Sequence, residues 1–544
     1  MNEFILQKQL QDYVNSGLYP FHMPGHKRRM SPAPGLPYAW DVTEVSGSDD
    51  LHHAEGILRE AMERTAALFG AARTWYLVGG STCGNLAAIR AAAPAGSEVI
   101  AARNCHKSVY HAIELGGLRV HWIEPPLDPV FGVYGSVPVR EVERLLREHP
   151  GVRAVILTSP TYEGVLSDIR SIAALCHDRE HPAALVVDEA HGAHLGLFTQ
   201  ETDGFFPVGA VACGADLVIQ SAHKTLPSLT QTALLHLQGK LLSPEEVERQ
   251  LEVFETSSPS YPLLASLDGC TGILRERGAE LFRAWKEKLL HFDRQTALIP
   301  GWRVLCHGRD SVGNHPDFYA YDPGKILFRR EWDGKVGQDG KNRQDAQESE
   351  EILRTRYRIE LEMRCGENLL AMTSCCDDEA ALDTLARALQ EMGENTAFQE
   401  PELRDDDSQR NGECRSPEPQ DDGSQSCDVC EAACSRGEDA SCASRLPVQG
   451  MAWMTIAQAL ARPRRFLPEQ QAEGKIAAEY VWAYPPGVPV LAPGEEVTAD
   501  YLRYAAACRS AGTRLYHSAR GAQGELCVVQ SADAEKDCLG RETV

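Results

Sequence analysis

Between about residues 55 and 240, short apolar runs alternate with segments whose apolar residues recur at helical spacing. The runs TWYLV (74–78), EVIAA (98–102), RVHWI (119–123), AVILT (154–158), ALVVD (184–188), DLVIQ (216–220) and TALLHL (232–237) read as strands. Helix-length segments lie between most of them, among them NLAAIRAAA (85–93), PVREVERLLREH (138–149) and DIRSIAALCHDRE (168–180). Strand then helix, repeated, predicts an α/β fold with a mainly parallel sheet covered by helices on both faces. Ligands of such sheets sit beyond the carboxyl ends of the strands, so the residues just after each run are the ones to inspect.

A helical stretch near 263–295 is followed by a second mixed segment to about 393, containing KILFRR (325–330) and LLAMTS (369–374). Residues 396–446 are rich in Asp, Glu, Ser, Gln, Gly and Pro and nearly devoid of large apolar residues, which predicts a disordered acidic linker. The polar stretch 333–351 reads as an exposed loop, and order resumes at about 450 with AAEYVWAYPPGVPVLAPGE (477–495). The division expected is an N-terminal segment (1–55), a large domain (56–295), a small α/β domain (296–393), the acidic linker (394–448) and a C-terminal domain (449–544).

A hydrophobic fraction of 43% over 544 residues excludes disorder throughout. With 78 acidic against 54 basic residues the net charge is −24, which argues against nucleic acid or an anionic membrane as main partner and leaves small cationic substrates open. That last link is loose, because residues 400–445 alone hold 13 acidic and 5 basic residues. MNEFILQKQLQDYVNSG is not a signal peptide and no run of about 18 apolar residues occurs, so a cytoplasmic protein is expected. Most of the 17 cysteines, such as Cys83, Cys105, Cys176, Cys213, Cys270 and Cys306, lie singly inside strand or helix patterns and read as free thiols. In CDVCEAAC, Cys427, Cys430 and Cys434 start a C-x2-C pattern that no second pair or histidine completes, so no metal is expected.

Three motifs carry possible chemistry. In SAHKTLPSLTQTALLH (221–236), Lys224 follows a buried strand; it is either a solvated loop lysine or one that forms a Schiff base with a carbonyl cofactor. In VVDEAHGAHLG (186–196), Asp188 ends an apolar strand, where it either caps a turn or keeps the pyridine nitrogen of a pyridoxal cofactor protonated. YLVGGSTCGNLAAIRA (76–91) is strand, glycine turn and helix, which points backbone N–H groups and the Ser81 and Thr82 hydroxyls at an anion. It is neither a Walker loop, since Asn85 stands where lysine should follow Gly84, nor a GxGxxG turn.

FHMPGHKRR (21–29), DVTEVSGSDDLHHAEG (41–56), GGSTCGN (79–85), RNCHKS (103–108), SPTYEG (159–164), DEAHGAH (188–194) and SAHKT (221–225) resemble, in this order, the motif series of the Orn/Lys/Arg decarboxylases. These are pyridoxal-phosphate enzymes of the aspartate aminotransferase fold type. The resemblance covers about residues 1–393 and, through EYVWAYPPGVPVLAPGE (479–495), the C-terminal domain of the family. With FHMPGHK starting at residue 21, the chain is similar to the short-form members without an N-terminal receiver-like domain.

The resemblance implies that Ser81, Thr82, Ser221 and His223 hold the cofactor phosphate. His106 would stack on the ring, Asp188 would pair with its nitrogen, His191 would lie beside it, and Thr161 and Tyr162 would line its edge. Lys224 would carry the aldehyde, and His223 or Lys224 would reprotonate the α-carbon. The implied reaction converts arginine, lysine or ornithine to an amine and carbon dioxide, as in polyamine biosynthesis, in a homodimer or higher homo-oligomer. Asp49, Asp50 and Glu479 are the candidates to meet the substrate's basic side chain. The rival reactions are transamination, for which Arg358 or Arg364 would clamp the α-carboxylate, and β-elimination. A catalytically silent regulatory paralogue would have lost Lys224 or Asp188, and both are present.

Overall fold

The structure, a computed structural model, describes residues 4–16, 35–305, 314–330, 346–394, 450–483, 487–510, 514–522 and 524–530. The expected acidic linker, Cys427, Cys430 and Cys434, Cys306, FHMPGHKRR and most of 333–351 lie outside the described residues. The described end of that last stretch is a helix, Ala346–Thr355, rather than loop, because Ala346, Ser349 and Leu353 recur on one buried face.

All seven runs are strands: β1 (Arg73–Leu77), β2 (Glu98–Ala102), β3 (Arg119–Ile123), β4 (Ala154–Thr158) and, after the two-residue β5 (Val165–Leu166), β6 (Ala184–Asp188), β7 (Leu217–Gln220) and β8 (Ala233–Leu237). They form one sheet in the order β1-β8-β7-β6-β4-β2-β3. The five strands from β3 to β7 pair in parallel, whereas β8 runs antiparallel to both β7 and β1. A parallel return needs a crossover element, and the link from β7 to β8 carries only the one-turn helix Ala222–Thr225. Val155, Ile156, Leu185, Val187, Val218 and Ile219 are wholly buried, which is why these strands read as continuous apolar runs rather than alternating ones.

The helix Tyr261–Thr296 joins two cores. Its Tyr261, Leu264 and Leu267 belong to the core under the sheet, while Leu274, Phe282, Trp285, Leu289 and Phe292 belong to the core of the small domain. That domain holds β9 (Trp302–Leu305), β10 (Ala320–Tyr321), β11 (Lys325–Arg330), β12 (Met363–Cys365) and β13 (Asn368–Met372). Four of these form an antiparallel sheet in the order β12-β13-β11-β9, and β10 pairs with β5 of the large domain. The C-terminal region has its own core, with Val481, Leu491, Val497, Tyr501, Ala505 and Val528. It is tied to the large domain by the buried Arg103, whose Nη2 donates to Glu495 Oε2 at 3.0 Å and whose Nη1 donates to the Pro489 carbonyl at 2.9 Å. Among the described residues no helix is long and apolar enough to cross a membrane, and Cys83, Cys105, Cys176, Cys213 and Cys270 are free thiols.

Candidate active site

The carboxyl ends of β2, β4, β6 and β7 and the glycine turn after β1 converge on a cavity of about 230 Å³. After β1, Gly80 has φ +74°, a left-handed turn that costs glycine least, and it opens the helix Gly80–Ala92. That helix has no side-chain cap and no acid in its first turn, so its N–H groups are left for an anion. Ser81 lines the cavity, and Ser221 at the end of β7 donates its hydroxyl to Ser81 Oγ at 2.9 Å.

Asp188, the last residue of β6, is buried. It accepts from Asn85 Nδ2 at 2.8 Å and from the Ala190 backbone N–H at 3.1 Å. Burial pushes its carboxyl above the usual range, against the pull of Lys224. Lys224 Nζ lies 2.8 Å from His191 Nε2; burial lowers the pKa of this amine, with Asp188 and then Glu362 opposing. Burial, followed by the charges of Lys224 and Lys325, holds His191 well below the ordinary histidine range. His106 caps the helix Lys107–Gly116, with Nδ1 accepting from the Ser108 N–H at 3.2 Å. Its pKa is pushed down to about 3 by burial and by Lys224, so its ring is neutral.

Of the residues expected from sequence, Ser81, His106, Thr161, Tyr162, Asp188, His191 and Lys224 share this one cavity. The Tyr162 and His191 rings lie 4.4 Å apart. Thr82 is exposed and does not line it, and His223 sits behind it with Nδ1 donating to the Thr232 carbonyl at 2.8 Å.

The three carboxylates expected to meet the substrate are placed elsewhere in this chain. Asp49 wraps the start of the helix Ile57–Phe69, accepting from the Gly56 N–H at 2.8 Å and the Leu58 N–H at 3.0 Å. Asp50 accepts from the His52 N–H at 2.9 Å. Glu479 is buried in the C-terminal region, where it holds the Cys527 N–H at 2.6 Å and His517 Nδ1 at 3.2 Å. Their oxygens are engaged by backbone donors, which is what short acidic side chains at turns do. Arg358 is exposed and Arg364 pairs with Glu350 at 2.9 Å; no arginine is among the described residues that line the cavity.

Four residues that bear on the site escaped the sequence reading. Asn85 holds Asp188 from the helix Gly80–Ala92. Glu163 and Glu362 put two carboxylates into the wall, and Tyr162 donates its hydroxyl to Glu362. Lys325, wholly buried, reaches His191 from the small domain. The acid in SPTYEG and the lysine directly before the apolar run ILF in KILFRR were the available signals.

The donor set suits pyridoxal phosphate: an uncapped helix start with hydroxyls for the phosphate, a buried carboxylate at one strand end and a desolvated lysine at the next. Asn104 Oδ1, buried in the same wall, has no hydrogen-bond partner.

The profile of the Orn/Lys/Arg decarboxylase major domain matches residues 5–334, and that of the C-terminal domain of the same family matches residues 440–518. The chain is 30% identical over 491 residues to an arginine decarboxylase of Halalkalibacterium halodurans, covering 89% of each. It is 30% identical over 514 residues to one of Bacillus subtilis, covering 92% of this chain and 93% of the relative. To the constitutive lysine decarboxylase of Escherichia coli it is 29% identical over 323 residues, 54% of this chain and 44% of that one. The fold is that of the lysine decarboxylase of Francisella novicida, with TM-score 0.74 and 18% identity over 96% of this chain and 81% of the other. The E. coli constitutive enzyme gives TM-score 0.72 and 22% identity over 97% and 82%. The matched domains, the near full-length relatives and the shared fold agree that the chain belongs to the Orn/Lys/Arg decarboxylase family and is an amino-acid decarboxylase, a lyase.

Proposed function

We propose that the chain removes the α-carboxylate of a basic amino acid, arginine ahead of lysine and ornithine, using pyridoxal 5'-phosphate held by Ser81, His106, Asp188 and Lys224. The observation that carries this reading is the presence of Lys224 and Asp188, on the ends of neighbouring strands, in one cavity with Glu163 and Glu362. Two carboxylates suit the planar fork of a guanidinium better than they suit a compact ammonium. The relatives matched over most of their length are named arginine decarboxylases, in agreement with that choice.

Pyridoxal phosphate bound here supplies an aldehyde that takes the substrate amine and a protonated ring that accepts the electron pair left by carbon dioxide. The chain supplies the rest. The Ser81 hydroxyl and the start of the helix Gly80–Ala92 bind the phosphate, and Asp188, fixed by Asn85, holds a proton at the ring nitrogen. The neutral His106 covers one face without adding charge. Lys224 lines the cavity and His223 does not, so Lys224 Nζ is the group that returns a proton to the α-carbon. The amine this reaction would release is of the kind used in polyamine formation, and both that use and a two-fold assembly of the chain are part of the same proposal.

Pure protein supplied with arginine, lysine or ornithine should release carbon dioxide and the matching amine, fastest from arginine. Keto acid in place of amine would establish transamination instead. The lack of an arginine clamp among the described lining residues argues against that outcome.

A further inference from the structure

Asn368 heads β13, is 6% exposed and lines the cavity that holds Lys224. It stands directly opposite Cys365 across the β12–β13 pair, and Cys365 and Met363 line the same cavity. Arg364, between those two, points the other way and pairs with Glu350 at 2.9 Å. One face of this small-domain pair therefore forms a wall of the site.

The orientation of the Asn368 amide is fixed by its own contacts. Nδ2 donates to the Phe131 carbonyl at 2.7 Å, and a carbonyl oxygen can only accept, so the nitrogen is the atom that belongs there. Turning the amide over would set two oxygens against each other. The amide oxygen is left over: Oδ1 is buried and has no hydrogen-bond partner among the described residues. An acceptor enclosed without a donor is costly, and one in a cavity wall calls for a ligand that brings an N–H or O–H.

A basic amino acid has few hydrogens to offer this wall. Its α-amine is taken up by the bond to the cofactor aldehyde, and its α-carboxylate only accepts. Ser81, His106, Asp188 and Lys224, which make the cofactor end of the cavity, all come from the large domain. Asn104 Oδ1, the other unpartnered amide oxygen among the described lining residues, also belongs to that domain, two residues before His106. For the small-domain wall there remains the cation at the end of the side chain, with five N–H donors in a guanidinium and three in an ammonium. We infer that Asn368 is a specificity-determining residue: its Oδ1 accepts an N–H of the substrate's terminal cation, in the same cavity as the carboxylates of Glu163 and Glu362. Those carboxylates attract positive charge of any kind, whereas the uncharged amide oxygen selects a cation that carries hydrogen. The inference rests on the proposed use of this cavity for a basic amino acid.

The test compares arginine and lysine with trimethyllysine, whose side chain ends in a cation without any N–H, on the full-length chain loaded with cofactor. KM is read from turnover, and dissociation constants from the change in the visible spectrum of the bound cofactor as each amino acid is added. Asn368→Leu should weaken arginine and lysine by about tenfold, the worth of one hydrogen bond to a charged group, and trimethyllysine by less than about twofold. Asn368→Ser keeps a hydroxyl that can donate to the Phe131 carbonyl but lacks the amide oxygen. It should give the same pattern, and it decides the matter if the leucine variant does not fold. Equal weakening of arginine and trimethyllysine would show that Asn368 only holds the Phe131 segment, and no weakening of either would show that water serves Oδ1; each result would overturn the inference. Release of keto acid in place of amine, with the pattern of affinities intact, would fail the functional reading and leave the assignment of Asn368 standing.

Discussion

Arg103 and Lys224 are both buried cations that face carboxylates, and burial acts on them with opposite results. Arg103 is enclosed between the large domain and the C-terminal region, bonded to Glu495, the Pro489 carbonyl and Tyr110, with its guanidinium 5.5 Å from the centre of the Trp122 ring. Burial opposes its charge, but Glu495 and Tyr110 outweigh burial, and its pKa ends above the ordinary value. At Lys224 burial wins instead: Asp188 and Glu362 act only through space, the hydrogen bond is to a neutral imidazole, and the pKa ends below the ordinary value. Desolvation is common to both. What separates the cation whose pKa rises from the one whose pKa falls is whether a carboxylate oxygen touches it.

The widest separation of the two sites should come from paired substitutions. Lys224→Ala should lower turnover by about 10³-fold or more while leaving the melting temperature near that of the parent. Arg103→Met, by contrast, leaves Glu495 buried without its counter-charge and should cost about 3–5 kcal/mol of stability in denaturant titrations. Equal destabilisation by the two substitutions would erase the distinction. Asp188→Asn tests the carboxylate that acts at a distance; turnover should fall about 10²-fold, with the visible spectrum of the bound cofactor altered. Glu362→Gln removes a charge from the cavity wall and should raise KM for arginine about tenfold, with a smaller change in kcat, in steady-state assays.

The large-domain half of the cavity was legible because several of its lining residues end or follow apolar runs. Asp188 and Lys224 end or follow strands whose buried pattern leaves little choice of element. The direction of β8 was not legible, since TALLHL has the same composition whichever way it runs and only the short link before it tells. Lys325 was hidden for a related reason: KILFRR shows a strand, but not that its first side chain ends against His191 from another domain. Asp49, Asp50 and Glu479 were singled out by charge. Charge does not distinguish an acid that meets a ligand from one that holds backbone N–H groups, and that difference appears only once distant segments are brought together.

The smallest effect is expected at Glu479, which offers a third version of the same comparison. Here the cation is His517, partly exposed, with Nδ1 at 3.2 Å from Glu479 Oε2. The hydrogen bond to Glu479 outweighs burial and raises the His517 pKa above its ordinary value of 6.5. The folded protein therefore holds this proton more tightly than the unfolded chain does. The stabilisation is complete below the unfolded value and is lost as pH rises through the folded one. His517→Gln should be less stable than the parent by under about 1 kcal/mol at about pH 5.5, and the gap should close by about pH 8.5 in thermal melts. A gap that widened with pH would mean that Glu479 is not paired with a protonated histidine. Turnover should not respond at either pH, because Glu479 spends its other oxygen on the Cys527 N–H and lies outside the cavity that holds Lys224.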